Sequence, residues 1–173
     1  GIEKRFTNVM DNHELYILGH MTEAAVAYYR ATGKRKLLDT AIRYVDCADR
    51  NFGREEGKLR GYPGHEVAEM ALVELYGVTG EERHLKLAQY FIDERGQKPL
   101  FLPKSGNASI TNINGRKAIF RISIIRPANR CGIRKSGRTC GACRISYSGM
   151  AEVAAMTEDQ ELLRLARALE KHC

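Results

Sequence analysis

Two histidines each follow a glycine, in the pairs Gly19-His20 and Gly64-His65. An imidazole can accept or donate a hydrogen bond near neutral pH, or ligate a metal. Gly19 sits inside an apolar helical stretch, where glycine costs roughly 1 kcal/mol against alanine, so a neighbouring helix or a ligand is expected to come close there. Glu23 and Ala24 stand one turn beyond His20 and leave space beside its ring. Pro63-Gly64 turns the chain sharply and is expected to set His65 in the first turn of the next helix, near its mouth. Both rings also fit a plainer role, as part-buried histidines satisfied by backbone carbonyls. The carboxylates available as acid and base are Glu14, Glu23, Glu66 and Glu69. Their spacing singles out no pair, and a solvated helix face accounts for most of them. Cys140-Gly141-Ala142-Cys143 with Cys131 upstream supplies three thiols of the kind zinc takes. A structural site takes four ligands, leaving the fourth to Cys173, His172 or a distant histidine, and a single CxxC carries little weight.

The elements that must position these residues repeat. Thr32, Thr79 and Thr157 each follow an apolar helical stretch, and nine residues later Ala41, Ala88 and Ala166 lie inside a second one. Leu37, Leu38, Ala41, Ile42 and Val45 recur at the steps of one buried helix face, as do Leu85, Leu87, Ala88, Phe91 and Ile92. Gly33 and Gly80 suit the left-handed residue that stops a helix. Thr79 with Glu82, and Thr157 with Gln160, have the spacing of a capping box that opens the next helix. Helices are expected at 12–31, 34–52, 65–78, 81–95, 147–156 and 159–171. The fold class is all-α, built of repeated helical hairpins. A hairpin cannot bury its apolar face alone, so a solenoid or a closed ring is required. The link from Phe52 to Gly64 is glycine-rich and too long for a simple turn, a mark of loops with a function. Ala118 to Ile125 can pass for a short strand.

The 173 residues make one domain, with a net charge of +7. That charge is not evenly spread. Residues 101–150 carry ten Lys and Arg and no acid, and no Asp or Glu lies between Glu94 and Glu152. The chain therefore divides into 1–98, helical hairpins; 99–146, an aberrant basic segment expected to be poorly ordered; and 147–173, a further hairpin. A basic segment invites nucleic acid, but Phe101 and Phe120 are its only aromatics before Tyr147, a thin stacking surface. No apolar run is long enough to span a bilayer, and the start lacks the apolar core of a signal peptide. Five cysteines, an odd number at low density, favour a reducing compartment. The chain reads as soluble and cytoplasmic, with numbering that begins inside a longer product.

From His13-Glu14-Leu15-Tyr16-Ile17-Leu18-Gly19-His20 through Ala31-Thr32-Gly33-Lys34, the sequence closely resembles glycoside hydrolase family 127, the beta-L-arabinofuranosidases. The likeness continues at Gly61-Tyr62-Pro63-Gly64-His65, Ala71-Leu72-Val73-Glu74-Leu75-Tyr76 and Tyr90-Phe91-Ile92-Asp93-Glu94-Arg95, and resumes at Tyr147-Ser148-Gly149-Met150-Ala151-Glu152. The resemblance implies a partial (alpha/alpha)6 barrel, six hairpins in a ring with sugar bound at one end, and places His20 and His65 against an L-arabinofuranoside. Tyr28, Tyr29 and Tyr62 are further candidates to line that site. The family uses a zinc-bound cysteine as nucleophile and a glutamate as acid/base. Those positions fall in a later stretch of the family sequence, and Cys140 and Cys143 do not match them. No catalytic residue, metal ligand or cofactor is therefore assigned here. Val67 stands where members usually carry glutamate.

The family also has a stretch near 130–146 that this chain does not match in its own frame. Reading each codon one nucleotide earlier permits Val-Arg-Asp-Thr-Glu-Val-Gly-Ala-His across Arg130 to Thr139, and the original frame resumes at Tyr147. A frameshift would account together for the missing acids, the cysteines and the lost periodicity. The expectation is a fragment of a glycoside hydrolase, inactive alone, with exposed apolar helix faces that favour self-association. The competing reading is a noncatalytic helical-repeat module that grips nucleic acid through its basic segment.

Overall fold

The structure, a computed structural model, describes residues 2–7, 9, 12–94, 109–113, 116–120 and 141–172. The main elements are α1 (Glu14–Thr32), α2 (Lys36–Asn51), α3 (Ala68–Thr79), α4 (Glu82–Glu94), β1 (Ser109–Ile113), β2 (Arg116–Phe120), α5 (Gly141–Thr157) and α6 (Gln160–His172). The six helices pair as three hairpins, α1/α2, α3/α4 and α5/α6, with α1, α3 and α5 packed side by side in one row. The periodicity predicts every helix, but α3 starts at Ala68 rather than 65 and α5 at Gly141 rather than 147. The strands form an antiparallel pair with Ser109 opposite Phe120 and Ile113 opposite Arg116. Ala118–Phe120 thus belong to a strand as read, while 121–125 lie outside the described residues. Most of the segment expected to be disordered, 99–146, also lies outside them.

Position in the row explains the composition of each helix. α3 is covered on several sides and buries Ala68, Glu69, Ala71, Leu72, Val73 and Leu75. α2 has one neighbour layer and buries a single stripe, Leu38, Ala41, Val45 and Ala48, with its charges on the opposite face. Between the layers lies a core of Leu15, Leu18, Val26, Leu38, Val45, Leu72, Leu75 and Phe91. Phe52 joins it edge-on to Phe6 and Phe91, at ring-centroid distances of 4.9 and 5.6 Å.

The hairpin turns work differently from the expected capping box. Gly33 and Gly80 do take the left-handed conformation, and their N–H groups bond Tyr29 O and Tyr76 O at 2.8 Å. The threonines close the helix they end rather than open the next one. Thr32, Thr79 and Thr157 donate to the carbonyls of Tyr28, Leu75 and Val153 at 2.7, 2.8 and 2.9 Å. The hydroxyl of Thr79 accepts from Glu81 N–H, not from Glu82. α6 is capped by Asp159, whose carboxylate accepts from Glu161 and Leu162 N–H at 3.0 and 2.9 Å. In this third turn Glu158 takes the left-handed place that glycine holds in the other two.

Gly19 is where α1 meets the head of α3. A Cβ there would stand 2.8 Å from Val67 Cγ1 and 2.9 Å from Ala68 N. The close approach expected from a mid-helix glycine is made by a neighbouring helix.

Candidate functional site

The chain between α2 and α3 is tied down at several points. Leu59 N–H bonds Asn51 O at 2.7 Å, and Gly53 N–H bonds Leu59 O at 3.2 Å. The Tyr90 hydroxyl accepts from Gly61 N–H at 3.2 Å and lies 3.3 Å from Leu59 O. Glu94, only 5% exposed, binds Arg54 Nε through Oε2 at 3.1 Å and Arg60 through Oε1, with Nη2 at 3.1 Å and Nε at 3.2 Å. A buried carboxylate holding two guanidinium groups has its lone pairs satisfied, which the desolvation of its charge demands. The segment that delivers Pro63, Gly64 and His65 is thereby fixed to the end of α4.

His65 falls three residues before Ala68, outside the helix, so the expectation of a first-turn ring is corrected. The shift brings it to α1. The Tyr16 ring lies between the two sequence-predicted histidines, with centroids 4.5 Å from His20 and 5.2 Å from His65, both edge-on. His13 joins them at 5.1 Å from His65 and 5.8 Å from Tyr16. It adopts φ 55° at the start of α1, a left-handed backbone uncommon outside glycine. His20 and His65 are exposed, so this is an open surface of four rings. His20 Nδ1 is 3.0 Å from Glu23 Oε2. An ionised carboxylate only accepts, so Nδ1 carries the proton and Nε2 of a neutral ring is left as an acceptor.

Of the other candidates, Glu14 is structural: it accepts Phe6 N–H at 2.8 Å, and burial pushes its pKa up. Glu66 and Glu69 are buried around the head of α3. Tyr29 and Tyr62 pack against the core, and Tyr28 stands exposed on α1. Sequence reasoning missed Tyr16 and His13 as site residues, although Tyr16 lies one helical turn before His20. It also missed Glu152 on α5. Glu152 Oε2 is shut from solvent and has no hydrogen-bond partner among the described residues. Burial raises its pKa, and the charges of Glu74 and Glu23 add to the rise. The row thus presents a glutamate from each of α1, α3 and α5 within electrostatic reach of one another.

A separate cleft of about 330 Å³ lies on the α2/α4 side, lined by Asp49, Phe52, Lys58, Lys86, Tyr90 and Asp93 among others; none of the four rings lines it. Among the described residues no three His, Cys, Asp or Glu side chains gather as metal ligands. Cys131, Cys140 and Cys173 lie outside the described residues.

A row of helical hairpins with histidines and carboxylates along its first helices defines the class once it is set beside known proteins. The model of the beta-L-arabinofuranosidase GH127 catalytic domain matches residues 1–172, and the chain belongs to that family. It is 39% identical over 174 residues to the non-reducing end beta-L-arabinofuranosidase of Bifidobacterium longum subsp. longum, covering 97% of this chain and 26% of that protein. The crystal structure of a GH127 beta-L-arabinofuranosidase from Geobacillus stearothermophilus T6 superposes with TM-score 0.73 at 36% identity, over 98% of this chain and 27% of the other. A second solved GH127 beta-arabinofuranosidase gives TM-score 0.63 at 36% identity, over 90% and 22%. The chain thus spans about a quarter of the length of the relatives it matches. Its three described hairpins are part of an (alpha/alpha)6 barrel.

Proposed function

We propose that this chain forms one wall of the sugar site of a beta-L-arabinofuranosidase-type glycoside hydrolase and binds an L-arabinofuranoside through His20 and His65. The observation that carries the reading is the Tyr16 ring flanked by both imidazoles, one from α1 and the other from the clamped α2–α3 link. Nε2 of His20 accepts from a sugar hydroxyl, while the Tyr16 ring offers an apolar surface to the C–H face of the furanose. The chain binds without hydrolysing, because the nucleophile and acid/base that the family resemblance implies belong to a later stretch of the sequence than the quarter this chain spans. A reducing, cytoplasmic setting belongs to the same proposal and rests on the odd number and low density of the five cysteines.

Imidazole ¹H–¹⁵N spectra recorded during titration with methyl beta-L-arabinofuranoside test the binding. The His20 and His65 signals should shift at millimolar sugar, while His84, buried on α4, stays still. Equal response in a His20→Ala/His65→Ala variant, read on other resonances, would remove both residues from the site. Release of chromophore from a chromogenic L-arabinofuranoside by this chain alone would refute the claim that it does not hydrolyse.

A further inference from the structure

Tyr16, His20 and Glu23 stand on one strip of α1, within about 60° of its circumference. The rotation of that strip is fixed by α3, because Gly19 abuts Val67 and Ala68 at its head. Along the strip the His20 ring is held from both sides. Tyr16 lies one turn before it, edge-on at 4.5 Å between centroids. Glu23 lies one turn after it, with Oε2 3.0 Å from Nδ1.

A charged pair at this spacing on a helix surface adds little to stability. Its consequence here is chemical. The nitrogen turned to the carboxylate is Nδ1, and a flip of the ring about its Cβ–Cγ bond would put a carbon against Glu23 instead. The carboxylate therefore fixes both the orientation of the ring and the place of its proton. The His20 side chain is 49% exposed, so a ligand can reach the ring, while Glu23 is the more covered of the two at 28%.

We propose that Glu23 is a positioning residue of the sugar site: it holds neutral His20 in the Nδ1–H form and so makes the site select for a sugar hydroxyl that can donate. The inference rests on the binding role proposed above for His20. Glu23 acts through the imidazole. Held this way, Nε2 carries a lone pair and no proton, so it accepts from a hydroxyl and gains nothing from an ether oxygen or a fluorine, which have lone pairs only. Glu74 on α3 serves as the control for charge. Its carboxylate acts on Glu152 as that of Glu23 does, but its own partner is Arg30 at 3.0 Å.

Long-range ¹H–¹⁵N spectra of the whole chain at about pH 8, where an ordinary imidazole is neutral, report which nitrogen bears the proton and need no sugar. His20 should be Nδ1–H in wild type and in Glu74→Gln, and an Nε2–H population should appear in Glu23→Ala, a change that suits a helix. Titration with methyl beta-L-arabinofuranoside and its monodeoxyfluoro analogues, each with one hydroxyl replaced by fluorine, then reads the selectivity. One analogue should bind wild type about three- to tenfold more weakly than the parent sugar, the worth of one hydrogen bond, and the ratio should fall toward one in Glu23→Ala but not in Glu74→Gln. A wild-type His20 protonated on Nε2, or the same tautomer in Glu23→Ala as in wild type, would overturn the proposal whether or not sugar binds. So would the absence of any fluorine penalty, or a penalty that Glu23→Ala leaves unchanged. The expected tautomers in a chain that ignores the parent sugar would instead refute the binding role of His20 and uphold the hold of Glu23 on its ring.

Discussion

Gly19→Ala and Gly77→Ala are the same chemical change in two inner-row helices, and the structure assigns them opposite signs. At Gly19 the new Cβ would stand 2.8 Å from Val67 Cγ1 and 2.9 Å from both Val67 C and Ala68 N. Two of those neighbours are backbone atoms at the head of α3, which cannot turn aside like a side-chain tip. Overpacking of this kind costs about 2–3 kcal/mol, and the helix propensity of alanine returns about 1 kcal/mol. The net loss is about 1–2 kcal/mol, or roughly 2–8 °C in Tm for a domain of this size. At Gly77 the nearest atom to a new Cβ is Arg30 Nη2 at 3.8 Å, an ordinary contact. There the propensity gain stands alone, up to about 1 kcal/mol and smaller if the end of α3 frays. Urea titrations of the three proteins under one buffer measure both numbers. A Gly19→Ala protein as stable as wild type would mean that α1 and α3 slide apart freely. The close approach would then hold neither the helices nor His20 and His65 in register.

Glu158→Gly should stabilise by about 0.5–1 kcal/mol, the left-handed strain of a non-glycine residue less the extra unfolded entropy of glycine; a lower urea midpoint would show that Glu158 is not strained at φ 56°. Asp159→Ala removes the two N–H contacts that cap α6 and should cost about 1 kcal/mol, again by urea midpoint. His84 is buried, with Nδ1 3.0 Å from Thr79 Oγ1 and a solvent-shielded Nε2, and burial lowers its pKa. The unfolded chain therefore binds this proton more readily than the folded one. The stability His84 contributes is complete above its unfolded pKa of about 6.5 and declines as pH falls from there toward the lower folded value; the wild-type advantage over His84→Gln should shrink between pH 7.5 and 5.5. Arg54→Ala/Arg60→Ala strands a buried Glu94 charge and should cost about 3 kcal/mol, the low end for a broken buried pair because the guanidinium groups are half in water. Glu94→Leu removes that charge and should cost less; the reverse order would mean that Glu94 is not desolvated.

What the sequence discloses and what it hides divide by distance along the chain. Helix positions, the glycine stops at Gly33 and Gly80 and the tight contact at Gly19 follow from neighbours within a turn or two, where periodicity and backbone freedom act directly. The threonines show the limit of that reasoning. A hydroxyl between two helices reaches either end, and spacing alone cannot say that Thr79 bonds back to Leu75 while Asp159, two residues past Thr157, takes the cap. The start of α3, at Ala68 rather than 65, departs from the periodicity for a related reason. His65 is held by ring contacts to α1 and by a link clamped at Glu94, whose partners lie 40 and 34 residues away. Glu152 lies deeper still, since only the three-helix row brings it near Glu23. The local signals build a scaffold that is nearly regular, and the residues that depart from regularity are those whose surroundings come from another hairpin. His13, strained at φ 55° against the His65 ring, is the clearest of these. That backbone is uncommon even in histidine, one of the side chains that enters it more readily, and the ring contacts His13 makes with Tyr16 and His65 tie it across the α1–α3 junction.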